Sequence, residues 1–388
     1  MGFEVSRYRL DSPLKATSFL RGLGYSRALT QSLIDRGRLR QDGEVLRKSS
    51  MIEKGLVELV EFRGRDLGLK PVFVMDSMKP SFCIFNKPAG LLTHPKNLEN
   101  PGSNTGLPSL LEQLRYSFGA ACNPCHRLDS ETSGLVICAL DRDSEIDIKG
   151  LFAKRQVSKE YLAAVRGRLD KAALIESNLA FERRGLGTLA IKGEARDLAI
   201  EALEASDLRR GFKDLSPTFN KALSVVMPLR HIEAGGLEAF LDSRLGRRVF
   251  ARTPLDRDIQ SLGDYGLFAR GLEATAFEAT LVRFLPITGK THQLRIHAAA
   301  LGNPILGDPL YGVDEGVASF FLDAKSKKGT DRLAATESTL SHFANHYTSK
   351  PSLRPSILEY ARLFYTGSHR LLLHAHRIEL LGKSFHAP

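Results

Sequence analysis

His126-Arg127-Leu128-Asp129-Ser130-Glu131-Thr132-Ser133-Gly134-Leu135-Val136-Ile137-Cys138-Ala139 is the stretch around which the chain is organised. Its second half is a short apolar run with the character of a buried strand. Its first half is a polar turn that sets one carboxylate, Asp129, beside one guanidinium, Arg127. An aspartate at the mouth of a buried strand has lost much of its water, so it needs a cationic or hydrogen-bonding partner or else takes up a proton. Functional sites use such groups and structural ion pairs do too, so these residues alone leave both readings open.

The 388 residues can bury a large core, and the length suggests two or three domains. A net charge of +11 favours a polyanionic partner without separating RNA, DNA and anionic membrane. No apolar run is long enough to span a bilayer, and Met1 to Pro13 lacks the apolar centre of a secretory signal, so a cytoplasmic protein is expected. Met1-Gly2 to Ser6 fits the short myristoylation pattern, which is loose enough to arise by chance. Four cysteines are too few for a disulfide framework. Cys122-Asn123-Pro124-Cys125-His126 satisfies the haem-attachment pattern, but that attachment needs export; zinc at the same residues would lack a fourth ligand. No metal or cofactor is expected.

Outward from the central stretch, residues 11–66 read as a small separate unit. Leu14 to Arg21 is helical, and Ser26 caps a second helix that turns Leu29, Leu33 and Ile34 inward and ends at Gly37. Asp42-Gly43 suits a tight hairpin turn, and Val57 and Leu59 alternate as a later strand. Arg21, Arg27, Arg36, Arg38, Arg40, Arg47 and Lys48 crowd this unit and suggest a phosphate-binding face. Residues 67–80 read as a linker punctuated by prolines. A second domain, 81–388, opens with the buried strand Phe82 to Phe85 and a turn holding the weak site candidates Lys87 and His94.

Further on, Asp141 to Phe152 is expected as a helix and Lys159 to Val165 as a strand. The interval 170–271 holds a helix-like segment, Ala195 to Leu208, and the pairs Arg183-Arg184, Arg209-Arg210 and Arg247-Arg248. Ala274 to Phe284 reads as a strand. Thr291 is placed to cap a helix ending near Gly302, on which His292, Arg295 and Ile296 share a face. Asn303 to Gly312 reads as scaffold. The interval 313–367 carries Lys325 to Gly329 with Phe320, Phe321, Phe343 and Tyr347, which suit either core packing or contact with single-stranded RNA.

The central stretch resembles the motif His-Arg-Leu-Asp-x-x-Thr-Ser-Gly of the RluA-type pseudouridine synthases, with every fixed position present. Asn86 to Pro95, Lys159-x-Tyr161, Leu285 to His297, Asn303 to Gly312 and Arg370-x-x-Leu373-His374-Ala375 continue the likeness. Ser26 to Arg38 with Asp42-Gly43 is similar to the alpha-L RNA-binding module of ribosomal and aminoacyl-tRNA synthetase proteins. The resemblance implies an α+β fold: a catalytic domain on a mainly antiparallel, bent sheet, preceded by a small α/β RNA-binding domain at 11–66. It implies isomerisation of uridine to pseudouridine, with Asp129 as nucleophile, Tyr161 stacking on the base and Arg295 pairing with Asp129. His126, Arg127, Thr132 and Ile296 would line the substrate, and Arg36, Arg38 and Arg40 would hold RNA. The partner is RNA, ribosomal by preference with transfer RNA open, and the enzyme is expected to be a cytoplasmic monomer without cofactor. Ser130 stands where relatives often carry Arg, and the intervals near 170–271 and 313–367 are longer than usual. The alternatives are a non-catalytic RNA-binding or ribosome-assembly protein on the same scaffold and, last, an exported haem protein.

Overall fold

The computed structural model describes residues 3–62, 64–95, 108–178, 192–197, 221–233, 243, 278–324 and 354–388. The chain divides into two compact units, Met1–Ser130 with Val136–Gly150, and Glu131–Leu135 with Leu151–Pro388. No described helix is long and apolar enough to cross a membrane.

The first unit begins with β1 (Phe3–Leu10), β2 (Leu14–Lys15), α1 (Ala16–Gly22), α2 (Arg27–Asp35), β3 (Leu39–Gln41), β4 (Glu44–Val45), β5 (Met51–Ile52) and β6 (Gly55–Phe62). An antiparallel sheet runs β1-β6-β3-β4, and β2 pairs with β5. Ser26 Oγ accepts the Leu29 N–H at 3.2 Å, which caps α2 as its sequence suggests. Asp42 and Gly43 take φ of 51° and 84°, as a two-residue hairpin turn of this kind requires. Leu20, Leu39, Ile52, Val57 and Leu59 are fully buried in one cluster, each stabilising by about 1.5–3 kcal/mol. Leu29 is not with them: it is 45% exposed, whereas Leu33 and Ile34 one turn on pack into or against the cluster.

The same unit continues with β7 (Pro71–Met75), β8 (Phe82–Lys87), α3 (Leu110–Phe118), β9 (Asn123–Pro124), β10 (Ser133–Ala139) and α4 (Arg142–Ala153). Residues 67–80, read as linker, therefore contain a strand; β7 pairs antiparallel with β8, and its alternating Val72 and Val74 point to solvent. β8 lies between β7 and the 136–139 end of β10. Flanked on both edges, Phe82 to Phe85 are wholly buried, which explains their unbroken apolar run. α3 opens with Glu112 accepting the Ser109 N–H at 3.0 Å.

The second unit holds β11 (Ser158–Arg166), β12 (Ala173–Asn178), β13 (Lys192–Asp197), β14 (Lys221–Ile232), β15 (Ala279–Pro286), α5 (Gln293–Ala300), α6 (Glu315–Ala324), α7 (Arg354–Thr366), β16 (Leu373–Leu380) and β17 (Lys383–His386). Its sheet runs β13-β12-β14-β15-β11-β16 through antiparallel pairings, with β17 also on β16. The exception is the start of β10, whose Ser133 and Gly134 pair parallel with His374 and Ala375. The architecture is α+β.

The described part of the 170–271 interval extends this sheet. Ala195 to Asp197, expected as the start of a helix, pair with β12 instead; the rest of that segment and the three arginine pairs lie outside the described residues. In the 313–367 interval, Phe320 and Phe321 of α6 bury with Val317 against Ala361 of α7, so these two aromatics are core and not an RNA surface. Lys325 to Gly329, Phe343 and Tyr347 lie outside the described residues.

Candidate active site

Asp129 is half-buried in the loop between β9 and β10. Both of its chain neighbours are fixed. Lys87, at the end of β8 and 0% exposed, donates to the carbonyls of Pro88 (2.9 Å), Leu91 (2.8 Å) and Ser130 (3.1 Å). The Gly90 N–H also donates to Ser130 O at 2.8 Å. On the other side, Thr93 Oγ1 donates to Leu128 O at 2.9 Å and accepts the Leu128 N–H at 3.1 Å. A buried ammonium is costly unless its donors are met, and here backbone carbonyls meet them. The result is a carboxylate whose backbone is set in place before any substrate arrives.

The rest of this loop is built around β10. His126 Nε2 accepts the Ile137 N–H at 3.0 Å, which places that imidazole against the strand; Arg127 is exposed. The cysteines of the Cys-x-x-Cys-His pattern are buried: Cys122 donates to Phe118 O and Leu140 O, and Cys125 to Asn123 O. Burial pushes their thiols up to about 11 and about 12. Cys138 is driven up by the same cause, and Cys83 on β8 is buried as well.

In the second unit Tyr161 is buried on β11 between Phe284 of β15 and Ala375 of β16. The β11–β16 register shifts between Glu160 and Tyr161; irregularities of this kind re-aim a side chain. α5 starts at Gln293, with His292 in the left-handed region (φ 53°) as its cap residue, and not at Thr291. The Gln293 side-chain oxygen instead ties down the turn that precedes the helix, accepting from Lys290 N–H (3.0 Å) and Thr288 Oγ1 (2.7 Å).

Arg295, one turn on, is 5% exposed and forms a bidentate pair with Asp308, itself 1% exposed, at 2.6 and 2.7 Å. Asp308 also accepts the N–H groups of Leu310 (2.9 Å) and Tyr311 (3.2 Å). The Tyr311 ring lies 5.0 Å from the guanidinium carbon, and its hydroxyl is 2.8 Å from His292 Nδ1. Ile296 and Thr132 are buried.

Ser133 Oγ meets His374 Nδ1 at 2.9 Å beside the parallel β10–β16 pairing. A Cβ on Gly134 (φ 116°) would stand 2.3 Å from Ala375 O, so the motif glycine is what lets these two strands approach. Burial lowers His374 to about 3 and His297 of α5 to about 4, and both imidazoles are neutral.

Of the N-terminal arginines, Arg36 is exposed and Arg40 half-buried, whereas Arg38 is buried. Desolvation, then the charges of Arg36, Arg115 and Arg40, lowers Arg38 to about 10, which leaves it a cation at neutral pH. Arg115 of α3 thereby joins this basic neighbourhood, with its guanidinium 5.0 Å from the Phe62 ring.

Sequence reasoning gave no role to Thr93, placed Asp308 in mere scaffold and held Lys87 weak. A signal existed for Lys87: it is the one charged residue between Phe82 and Leu92, a run otherwise fit for burial.

Residues 81–300 match the family described as RNA pseudouridylate synthase. An uncharacterised RNA pseudouridine synthase of Helicobacter pylori strain J99 is 28% identical over 86% of this chain and 89% of its own length. The tRNA pseudouridine(31) synthase of Saccharomyces cerevisiae is 28% identical over 66% of this chain and 49% of its own. The ribosomal large subunit pseudouridine synthase C of Rickettsia prowazekii is 29% identical over 59% and 53%. The family match spans more than half of the 388 residues and takes in the Asp129 loop, Tyr161 and Arg295; the chain belongs to the RNA pseudouridine synthases, isomerases that act on RNA.

Proposed function

We propose that this enzyme isomerises specific uridines of ribosomal RNA, with Asp129 as nucleophile, Tyr161 stacking on the target base and Arg295 keeping Asp129 ionised. The observation that carries the reading is the clamping of Leu128 and Ser130 by Thr93 and Lys87, which fixes the backbone on both sides of Asp129 inside the family motif. Asp308 fixes the guanidinium of Arg295 in place through two of its five N–H donors. In the reaction the bond from ribose C1′ to N1 of uracil breaks, Asp129 takes up either C1′ or C6, and the rotated ring bonds C1′ through C5, whose proton leaves.

The base must leave its stack to be reached; Tyr161 offsets that cost from one side, and Arg127, exposed at the loop surface, fills the vacated place. Ribosomal RNA is favoured by the Rickettsia relative's name and by the basic N-terminal unit, which we assign to RNA contact through Arg36 and Arg40. The yeast relative's name makes transfer RNA the competing substrate.

Release of tritium from unmodified RNA labelled at uracil C5 tests the reading. Asp129→Asn, which keeps shape and removes the charge, is expected to lower release by on the order of 10³-fold or more with RNA affinity unchanged. Equal release by the variant would refute the assignment. RNA binding without release by the wild type would favour a scaffold-type RNA-binding protein.

A further inference from the structure

Arg362 belongs to α7, yet its guanidinium leaves its own helix and reaches two loops. Nε donates to Gly307 O at 2.6 Å, Nη2 donates to the same carbonyl, and Nη2 pairs with Glu131 Oε2 at 2.5 Å. The two side chains are only 12% and 22% exposed, so the pair is held in low dielectric and not in bulk water. The Gly307 N–H is taken by Thr366 O at 3.0 Å, at the end of the same helix. α7 thus binds both backbone polar groups of Gly307.

Glu131 is two residues beyond Asp129 in the chain, and Gly307 immediately precedes Asp308, the carboxylate that holds Arg295. Gly307 has no slack of its own: at φ 78° a Cβ would fall 1.7 Å from Arg370 O. A single guanidinium therefore ties the segment that follows the nucleophile to the segment that fixes the nucleophile's proposed partner. Lys could supply the charge but not the fork that reaches a carbonyl and a carboxylate together.

We propose that Arg362 is a positioning residue of the isomerisation, and that the 313–367 interval, through α7, serves the chemical step by holding the Glu131 and Gly307 segments in register. This rests on the assignment of Asp129 and Arg295 above.

The test is single-turnover tritium release from C5-labelled RNA, with RNA affinity measured in parallel, on the full chain. Arg362→Met is expected to slow release by on the order of 10²-fold, as loss of aim does, with affinity within about twofold. Arg362→Lys should recover part of the rate. The double variant Arg362→Met with Glu131→Gln should be no slower than Arg362→Met alone, since the two groups act as one. Leu358→Ala removes packing from the same helix without touching these bonds and should keep the wild-type rate at temperatures where it is folded.

An Arg362→Met rate equal to wild type overturns the inference, as does a Leu358→Ala variant equally slow, which would make Arg362 a matter of folding alone. Equal loss of affinity and rate would move Arg362 to RNA binding and also overturn it. Absence of turnover by the wild type would overturn the parent reading and this one together, whereas an active wild type with an undiminished Arg362→Met overturns this one alone.

Discussion

Lys87 shows how one side chain can set a site it does not enter. Its ammonium is sealed from solvent and spread over three carbonyls, one of them the peptide next to Asp129. Lys87→Met keeps most of the volume but strands those carbonyls in an apolar setting, and is expected to cost about 3–5 kcal/mol, read from urea unfolding. A loss under about 1 kcal/mol would mean that the carbonyls find other donors. At this scale the sequence was informative where residue type decides the matter: the motif glycine, the Ser26 cap and the Asp42-Gly43 turn all stand as their chemistry requires. It was silent where the partner is remote. Nothing in Asn303 to Gly312 says that Asp308 grips a residue one helix away, because a bidentate pair leaves no local pattern.

Among the elements, β16 and α5 each carry a buried neutral histidine, His374 and His297. In the unfolded chain both titrate near the usual 6.5, so between that value and their lowered folded values the unfolded chain binds more protons. Stability from this source is complete above about pH 6.5 and falls as pH drops toward 4. From about pH 7 to about pH 5 each should cost about 2 kcal/mol, visible in the urea midpoint, with both imidazole resonances still those of the neutral ring at the lower pH. An acid-insensitive midpoint would contradict the burial. Periodicity located most of the strands and helices of the motif-bearing regions. It failed at β7, whose half-exposed valines fall between prolines, and at β13, where residues of good helix propensity are drafted into a sheet by their neighbour β12.

At the scale of the whole molecule, the surplus of positive charge is placed as well as abundant. Arg36 is exposed and Arg40 half-buried, while Arg38 is buried, so three arginines at alternate positions do not present three equivalent guanidinium groups. Changing Arg36 and Arg40 to Gln should lower the slope of log affinity against log salt by about 2, and weaken RNA binding across sequences alike. Leaving the slope intact would remove this face from the RNA path. Charge counting over residues 11–66 pointed to a basic unit, but only packing could say which guanidinium is buried in it.

The four thiols of the chain are sunk in β8, β10 and the turn before β10, and burial holds those of Cys122, Cys125 and Cys138 in the unreactive protonated form. They constitute a built-in reporter. A thiol-reactive dye at mildly alkaline pH should find the native protein silent, and each equivalent of colour that develops will time an opening of the strands behind Asp129, with no label introduced and no residue changed.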